Sequence, residues 1–232
     1  ILPKIYYILY TILLIWFCIK KLKLFMENSE YLKNQISIMI NLFKAKRFDT
    51  LIDKGLTLLN KFPEQPILYN IISLAYNALE KGEESKKLLI QILKKEPENF
   101  HILNNLGLAS VHCGDTDEAE NYYNRALKLK PDLIEALVNL GNLKTTQNKN
   151  DEAKEYFIKA IEINDKLLPP KLSLAGYYEQ SGDFEKAKKI YNEILEINPN
   201  FTIADKSLSL IQKYKPGDTH LNSMEKKLKN NI

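Results

Sequence analysis

Residues 104–131, NNLGLASVHCGDTDEAENYYNRALKLKP, decide the fold together with the segment that follows them. Residues 138–165, VNLGNLKTTQNKNDEAKEYFIKAIEIND, repeat the Asn-Leu-Gly of the first segment 34 residues later. Leu, Gly, Ala, an aromatic ring and a second Ala keep their spacing in both segments, while most residues between them differ. A fixed period of this length indicates stacked structural repeats.

The same period runs from Leu32 to Tyr214 without an insertion. The seventh place of each 34-residue unit is apolar, and the eighth and twentieth places are mostly small. The twenty-fourth place is aromatic in three units, and a proline often stands near the end of a unit. The positions that define the repeat most clearly are Leu106, Gly107, Ala119, Tyr123, Ala126, Pro131, Leu140, Gly141, Ala153, Phe157, Ala160, Ala187, Tyr191 and Pro199.

Each unit is predicted to form two antiparallel helices. Apolar residues recur three and four apart on both sides of a short polar break, which is the pattern of a buried helical face. An aspartate follows the break in three units and is a candidate N-cap of the second helix: Asp115, Asp151 and Asp183. The proline ends the second helix, because its ring does not fit inside one.

The small residues explain why the spacing is kept. Gly107 inside a helix costs about 0.5–1 kcal/mol relative to Ala. The compensation is that a helix without a side chain there allows its neighbour to approach, so Ala119 is expected to face Gly107 in one hairpin. Rings such as Phe157 fill the space that the small residues leave, and a larger residue at a small place would overpack the contact by roughly 1–3 kcal/mol.

This set of small, aromatic and proline places resembles the tetratricopeptide repeat family. The resemblance implies an all-α fold, a right-handed superhelical solenoid of antiparallel helix pairs with a concave groove lined by first helices. The predicted organisation is an apolar segment (1–25), five units (32–65, 66–99, 100–133, 134–167 and 168–201), a capping helix (202–215) and a polar basic tail (216–232). The first unit departs from the pattern at Met39, Leu51 and Gly55, where small, small and aromatic residues are usual.

A groove of this family binds a partner, so polar residues on the first helices are the candidate binding residues. They are Asn70, His101, Asn104, Asn105, Asn139, Asn142 and Ser173. Asn105 and Asn139 share the sixth place of their units, and a carboxamide offers both a donor and an acceptor to a peptide backbone. The arrangement is similar to the asparagine ladder of O-linked GlcNAc transferases. The alternative is a chance coincidence, because Asn is frequent throughout this sequence.

The binders of chaperone tails offer a second pattern for the groove. Those proteins hold carboxylates with Lys, Arg and Asn on successive first helices. Here Glu135 stands where a cation is expected, and its charge would repel the ligand. Chaperone tails are therefore not the expected ligands.

Composition and motifs argue against catalysis and nucleic-acid binding. The chain has 33 basic and 29 acidic residues among 232, a formal net charge of +4, which is not the concentrated basic face that phosphates require. It carries no Gly-rich phosphate loop, metalloprotease helix motif or Cys-x-x-Cys pair. We expect a non-enzyme with no cofactor and no metal. Two cysteines build no disulfide framework, so a reducing, cytoplasmic location is expected.

The first functional hypothesis is therefore a non-catalytic scaffold that holds a protein or peptide segment in its groove. The alternative is the substrate-recognition region of a transferase whose catalytic domain is absent from this chain. Residues 207–232 resemble the segment that joins repeats to the catalytic domain in bacterial tetratricopeptide sulfotransferases. The points of resemblance are the capping helix, Tyr214, Lys215-Pro216-Gly217-Asp218, His220 and a helix start at Met224-Glu225. An RNA-binding helical repeat is a third, less favoured hypothesis, since such grooves are basic.

The N-terminal residues ILPKIYYILYTILLIWFCIKKLKLF raise a separate question. Ile5 to Ile19 carry no charge, and with residues 1–4 they are just long enough for a membrane span. Lys20, Lys21 and Lys23 would then keep the repeats on the cytoplasmic side. The alternatives are an untranslated extension, since the first Met is Met26, and a buried or interfacial helix.

Overall fold

The computed structural model describes residues 28–212 and 218–230. The candidate anchor at 1–25 lies outside the described residues. Within them, no helix combines the length and the hydropathy that a membrane span requires. The described residues form helices and turns, with no strand among them. The predicted all-α fold is confirmed.

Twelve helices, α1 to α12, follow one another along the described chain. The first six are α1 (28–44), α2 (Phe48–Lys61), α3 (Pro66–Ala78), α4 (Gly82–Leu93), α5 (Phe100–His112) and α6 (Thr116–Leu129). The other six are α7 (Ile134–Thr146), α8 (Asn150–Ile163), α9 (Leu168–Gln180), α10 (Phe184–Ile197), α11 (Thr202–Ile211) and α12 (Thr219–Asn230). Two compact units divide the chain, one up to Ala119 and one from Glu120.

The turns inside the helical hairpins share one backbone feature. In five hairpins the residue at the fifteenth place of the 34-residue unit has a positive φ. These residues are Lys46 (55°), Glu80 (58°), Gly114 (84°), Asn148 (58°) and Gly182 (80°). Glycine reaches this region without the steric cost that a Cβ brings. The repeat therefore keeps the same backbone conformation at this place, whether or not the residue is glycine.

In the compact unit that ends at Ala119, two glycines permit close helix packing. A Cβ on Gly55 of α2 would lie 2.5 Å from Cγ1 of Ile72 and 2.9 Å from Cε of Met39. A Cβ on Gly82 of α4 would lie 2.7 Å from the carbonyl oxygen of Ala109 on α5. The first repeat unit departs from the usual residue pattern, yet its hairpin is closely packed, and Met39 is fully buried in it.

In the compact unit that starts at Glu120, the residues at the predicted small and aromatic places form the core. A Cβ on Gly141 of α7 would lie 2.5 Å from Cε1 of Phe157 on α8. The core residues around α10 are Ala175, Ala187, Tyr191, Ile194, Ala204 and Leu208. Burial raises the pKa of the Tyr191 phenol to about 12, and its hydrogen bond to Glu179 adds to this effect.

The helix starts agree only in part with the predicted caps. Asp183 caps α10, since its side chain accepts from the backbone N–H of Lys186 at 3.2 Å. The prediction that Asp151 caps α8 is wrong, because α8 starts at Asn150 and Lys149 is its N-cap. The reason is register: Lys149 stands 34 residues before Asp183, and Asp151 comes two places later, inside the first turn of the helix.

The last helix of the C-terminal region, α12, begins at Thr219, earlier than the helix start expected at Met224-Glu225. The expected capping helix, 202–215, is described as α11 and ends at Ile211. The residues predicted as a polar tail, 216–232, contain α12. Asp218 accepts from the backbone N–H of His220 at 2.9 Å and starts this helix, and Nε2 of His220 lies 2.6 Å from Oδ1 of Asp205 on α11.

Candidate functional site

Three of the four predicted binding residues up to Ala119, namely Asn70, Asn104 and Asn105, form a closed amide cluster. Asn105 donates through Nδ2 to Oδ1 of Asn70 at 3.1 Å, and Asn104 donates to Oδ1 of Asn105 at 3.3 Å. Asn104 and Asn105 are each only 6% exposed, although the sequence predicts them on an open inner face. Burial is tolerated because the amides satisfy one another. His101 is exposed at the start of α5, where its ring lies 4.4 Å from that of Phe100.

The predicted residues after Glu120 lie in a more open setting. Asn142 of α7 is exposed, whereas Asn139 of α7 and Ser173 of α9 are half-buried. Asn142 and Ser173 line the same cavity. Asn105 and Asn139 belong to different compact units, so an asparagine ladder between them stays a prediction.

The cavity lies between α7, α8 and α9 and has a volume of about 360 Å³. Its lining residues are Asn142, Thr145, Thr146, Asn150, Ala153, Phe157, Ser173, Gly176, Tyr177 and Gln180. None of these side chains carries a formal charge at neutral pH. Ala153 and Phe157 are almost fully buried and contribute an apolar surface, while the other side chains are mostly amides and hydroxyls. We call this cavity the α7–α9 pocket.

One wall of the α7–α9 pocket is fixed by a polar contact. Tyr177 donates its phenol hydrogen to Oδ1 of Asp151 at 2.6 Å. This hydrogen bond and the charge of Lys154 hold the pKa of the Asp151 carboxyl below its usual range. The same hydrogen bond raises the pKa of Tyr177. Lys154 also lies 5.1 Å from the centre of the Tyr177 ring, so the ring is held from two sides.

Gly176 opens the pocket at its α9 wall. A Cβ added there would meet no atom within 4 Å. Glycine is unfavourable inside a helix by about 0.5–1 kcal/mol relative to Ala, and here no close helix packing compensates that cost. The open space beside Gly176 is therefore a property of the pocket wall and not of the core.

Sequence reasoning identifies only part of this pocket. Asn142, Thr145 and Ser173 are expected on the inner face, whereas the pattern alone does not single out Gly176 or Tyr177. A sequence signal for Gly176 exists at the ninth place of the units, which reads Ile40, Leu74, Leu108, Asn142, Gly176 and Leu210. Three units and the capping helix carry a large aliphatic residue there, and the two units that border the pocket do not.

A buried lysine close to α8 is paired with two carboxylates. Lys144, only 4% exposed, lies 2.6 Å from Glu120 and 3.1 Å from Glu152. Burial acts to lower the pKa of Lys144, and the hydrogen bonds to the two carboxylates outweigh it, so the pKa is raised. Across the described residues, no group of three or more His, Cys, Asp or Glu side chains is placed to hold a metal ion.

Comparisons with known proteins identify the repeat. Two family profiles described as tetratricopeptide repeat match residues 98–166 and 144–208. No curated protein sequence matches the chain. Many solved structures resemble it in fold.

Three solved structures illustrate this similarity. A thermophilic tetratricopeptide protein from Thermus thermophilus is 16% identical, with a TM-score of 0.69 over 77% of this chain and 97% of that one. PilF of Pseudomonas aeruginosa is 14% identical, with a TM-score of 0.64 over 84% and 96% of the two chains. YrrB, described as having an unusual peptide-binding site, is 20% identical, with a TM-score of 0.53 over 75% and 89%. At these identities, the similarity concerns the fold.

Proposed function

Since the chain belongs to the tetratricopeptide repeat family, we propose that it is a non-catalytic scaffold that binds an extended peptide segment along the first helices α7 and α9. The observation that carries the proposal is the α7–α9 pocket, in which Asn142 and Ser173 stand on neighbouring first helices. Binding of protein partners is the general role of this fold, and the location of the ligand in this groove is the proposed part.

The polar groups of the pocket suit a peptide backbone. Amides such as Asn142 offer a donor and an acceptor, and hydroxyls such as Ser173 and Thr145 offer the same in a smaller group. Each direct hydrogen bond to a ligand adds about 0.5–1.5 kcal/mol net. Such groups can form hydrogen bonds with the main chain of any peptide. They therefore favour the binding of extended segments over the recognition of a particular charged side chain.

The closed amide cluster makes a weaker contribution to this proposal. Asn105 is already bonded to Asn70 and Asn104, and a ligand reaching it would have to exchange one of those bonds. The predicted binding role of these three residues stays a prediction. YrrB supports the class of ligand, because a protein of similar fold is described as having a peptide-binding site.

The transferase-recognition alternative, the membrane anchor and the cytoplasmic location also stay predictions. The reading frame that encodes the chain, determined on both sides, addresses the first, and a sulfotransfer assay of the chain tests the expectation that it is not an enzyme. Membrane fractionation of the expressed protein addresses the second and third.

Selection of random dodecapeptides on the immobilised full chain tests the proposal. We expect enriched peptides to bind one per chain in calorimetry. The double variant Asn142→Ala/Ser173→Ala should weaken them at least about fivefold, because two hydrogen bonds are lost. Asn121→Leu, a charge-neutral change at an exposed position of α6 outside the pocket, is the control and should leave the affinity unchanged.

Two results would overturn the proposal. One is a selection that enriches no peptide above the blank surface. The other is a set of peptides that bind the double variant as tightly as the original chain, since these would occupy a different surface. Circular dichroism of each variant verifies that the helices are intact.

A further inference from the structure

We propose that the α7–α9 pocket receives one large, uncharged, apolar side chain of the bound segment. This inference rests on the proposed function and specifies the ligand of the same site. It concerns a single anchor residue, aliphatic or aromatic, that inserts beside Gly176 and towards Phe157.

The first argument is the missing side chain. Four of six ninth places carry Leu or Ile: Ile40, Leu74, Leu108 and Leu210. Gly176 has no side chain at that place, and a Cβ would meet nothing within 4 Å. The other residue at that place beside the pocket is Asn142, which is exposed and polar. Three of the four aliphatic residues lie at the surface of their helices, since Ile40 is 41%, Leu74 36% and Leu210 73% exposed. At Gly176 the helix surface leaves open space instead.

The second argument is the charge of the lining. None of the ten lining residues carries a formal charge, and Phe157 and Ala153 provide an apolar floor. Asp151 and Lys154, which both contact the wall residue Tyr177, are paired with each other at 3.6 Å. A charged ligand side chain would lose hydration in this pocket without gaining a partner. An apolar side chain instead gains affinity on burial, by at least about tenfold when it is fully removed from water.

The third argument is the size and rigidity of the site. A volume of about 360 Å³ holds a large side chain together with the adjoining main chain. The wall residue Tyr177 is fixed by Asp151 at 2.6 Å, so the pocket does not need to be formed by the ligand. A preformed apolar site lowers the ordering cost of binding.

The test uses the peptides enriched on the full chain and the variant Gly176→Leu. This variant introduces the residue that two other units and the capping helix carry at the ninth place. It should remain folded with an unchanged or higher Tm, because a leucine replaces a helical glycine at a position with open space. We expect it to weaken peptides with an apolar anchor at least about tenfold, because its side chain occupies the pocket.

Substitutions in the peptides provide the second part of this test. We expect one fixed position to be Leu, Ile, Met or an aromatic residue, and its replacement by Ala to cost about tenfold on the original chain. On Gly176→Leu the same replacement should have no further effect, since the anchor no longer enters the pocket. Asn121→Leu again serves as the control for added apolar surface.

The outcomes separate the inference from the proposed function. Peptides that depend on Asn142 and Ser173 but bind Gly176→Leu equally well would overturn the inference and leave the groove function standing. Peptides with a charged residue at the fixed position would do the same. A selection that yields no peptide dependent on Asn142 and Ser173 would overturn both.

Discussion

The ring of Phe157 lies against the backbone of Gly141 so closely that a Cβ on this glycine would stand 2.5 Å from Cε1 of the ring. The three closest heavy atoms to that added carbon all belong to Phe157. In the first hairpin the sizes at the same two places are reversed, with Met39 at the eighth and Gly55 at the twenty-fourth. A Cβ on Gly55 would lie 2.9 Å from Cε of Met39. The two places therefore share one volume, which either helix can fill.

A double-mutant cycle on Gly141 and Phe157 should show this shared volume. Gly141→Ala alone is expected to lower the free energy of unfolding by about 1–3 kcal/mol, because the ring must move away from the added carbon. Phe157→Val alone is destabilising because it leaves a cavity. In the double variant the alanine fits the vacated space, so the loss should be smaller than the sum by about 0.5–3 kcal/mol. Urea unfolding measures each step.

Additive losses, within about 0.5 kcal/mol, would contradict the shared volume. The pair Gly114→Ala and Phe157→Val offers a matched comparison. Gly114 has a positive φ of 84° and no atom within 4 Å of an added Cβ, so its loss should come from backbone strain and be additive with that of Phe157→Val.

Asn77 of α3 should be a site where a polar residue lowers stability. Its side chain is 3% exposed, and among the described residues neither its Nδ2 nor its Oδ1 has a hydrogen-bond partner. Burying an unsatisfied amide costs about 1–3 kcal/mol. We therefore expect Asn77→Leu, which is similar in shape, to raise the free energy of unfolding by about that amount in chemical denaturation.

Asn70→Leu, on the same helix, is the matched control and should act in the opposite direction. It removes the acceptor of the Asn105 amide, whose Nδ2 lies 3.1 Å away. A loss of stability in Asn77→Leu similar to that in Asn70→Leu would mean that the Asn77 amide has a stabilising partner, and the explanation would be wrong.

The contact between Tyr177 and Asp151 should be visible in a pH titration. The folded-state pKa of Asp151 is lowered from its ordinary 3.8 by the hydrogen bond from Tyr177 and by the charge of Lys154. A lowered carboxyl pKa stabilises the fold above the unfolded-state pKa, and this contribution is lost as the pH falls through the folded-state pKa. Carboxyl carbon NMR should therefore place the Asp151 midpoint below 3.8.

Tyr177→Phe removes the phenol donor and should raise the Asp151 midpoint towards the ordinary value. Asp183 provides an internal control, because its pKa is lowered by Lys186 and not by Tyr177. Its midpoint should be the same in both proteins. An Asp151 midpoint that does not change in Tyr177→Phe would show that the phenol contributes nothing to holding this carboxylate.

The positions of the repeat are well predicted by sequence because they depend on local spacing and size. The all-α fold follows from apolar residues three and four apart, and the burial of Ala153, Phe157 and Tyr191 follows from their register. Even the turns keep the register, with a positive φ at the same place in five hairpins. Each of these features is fixed within about one period of the chain.

The state of the polar groups is not predictable in the same way. Asn105 and Asn142 have equally polar side chains on first helices, yet the first is 6% exposed and bonded to Asn70 while the second is exposed at the pocket. Asp151 resembles a cap in the sequence and instead accepts a hydrogen bond from Tyr177, 26 residues away. The spacing of residues does not state which side chains from different helices meet.

The sequence by itself therefore determined the helices, their pairing and the small and large places of the core, because burial follows a period of 34 residues. Only the tertiary structure decided which amide side chains are buried and bonded to one another and which are exposed. It also decided that Gly176 leaves a space beside Phe157. The physical reason is that a hydrogen bond or a cavity between helices depends on distances of a few ångströms between residues remote in the chain. Those distances are set by packing and not by composition.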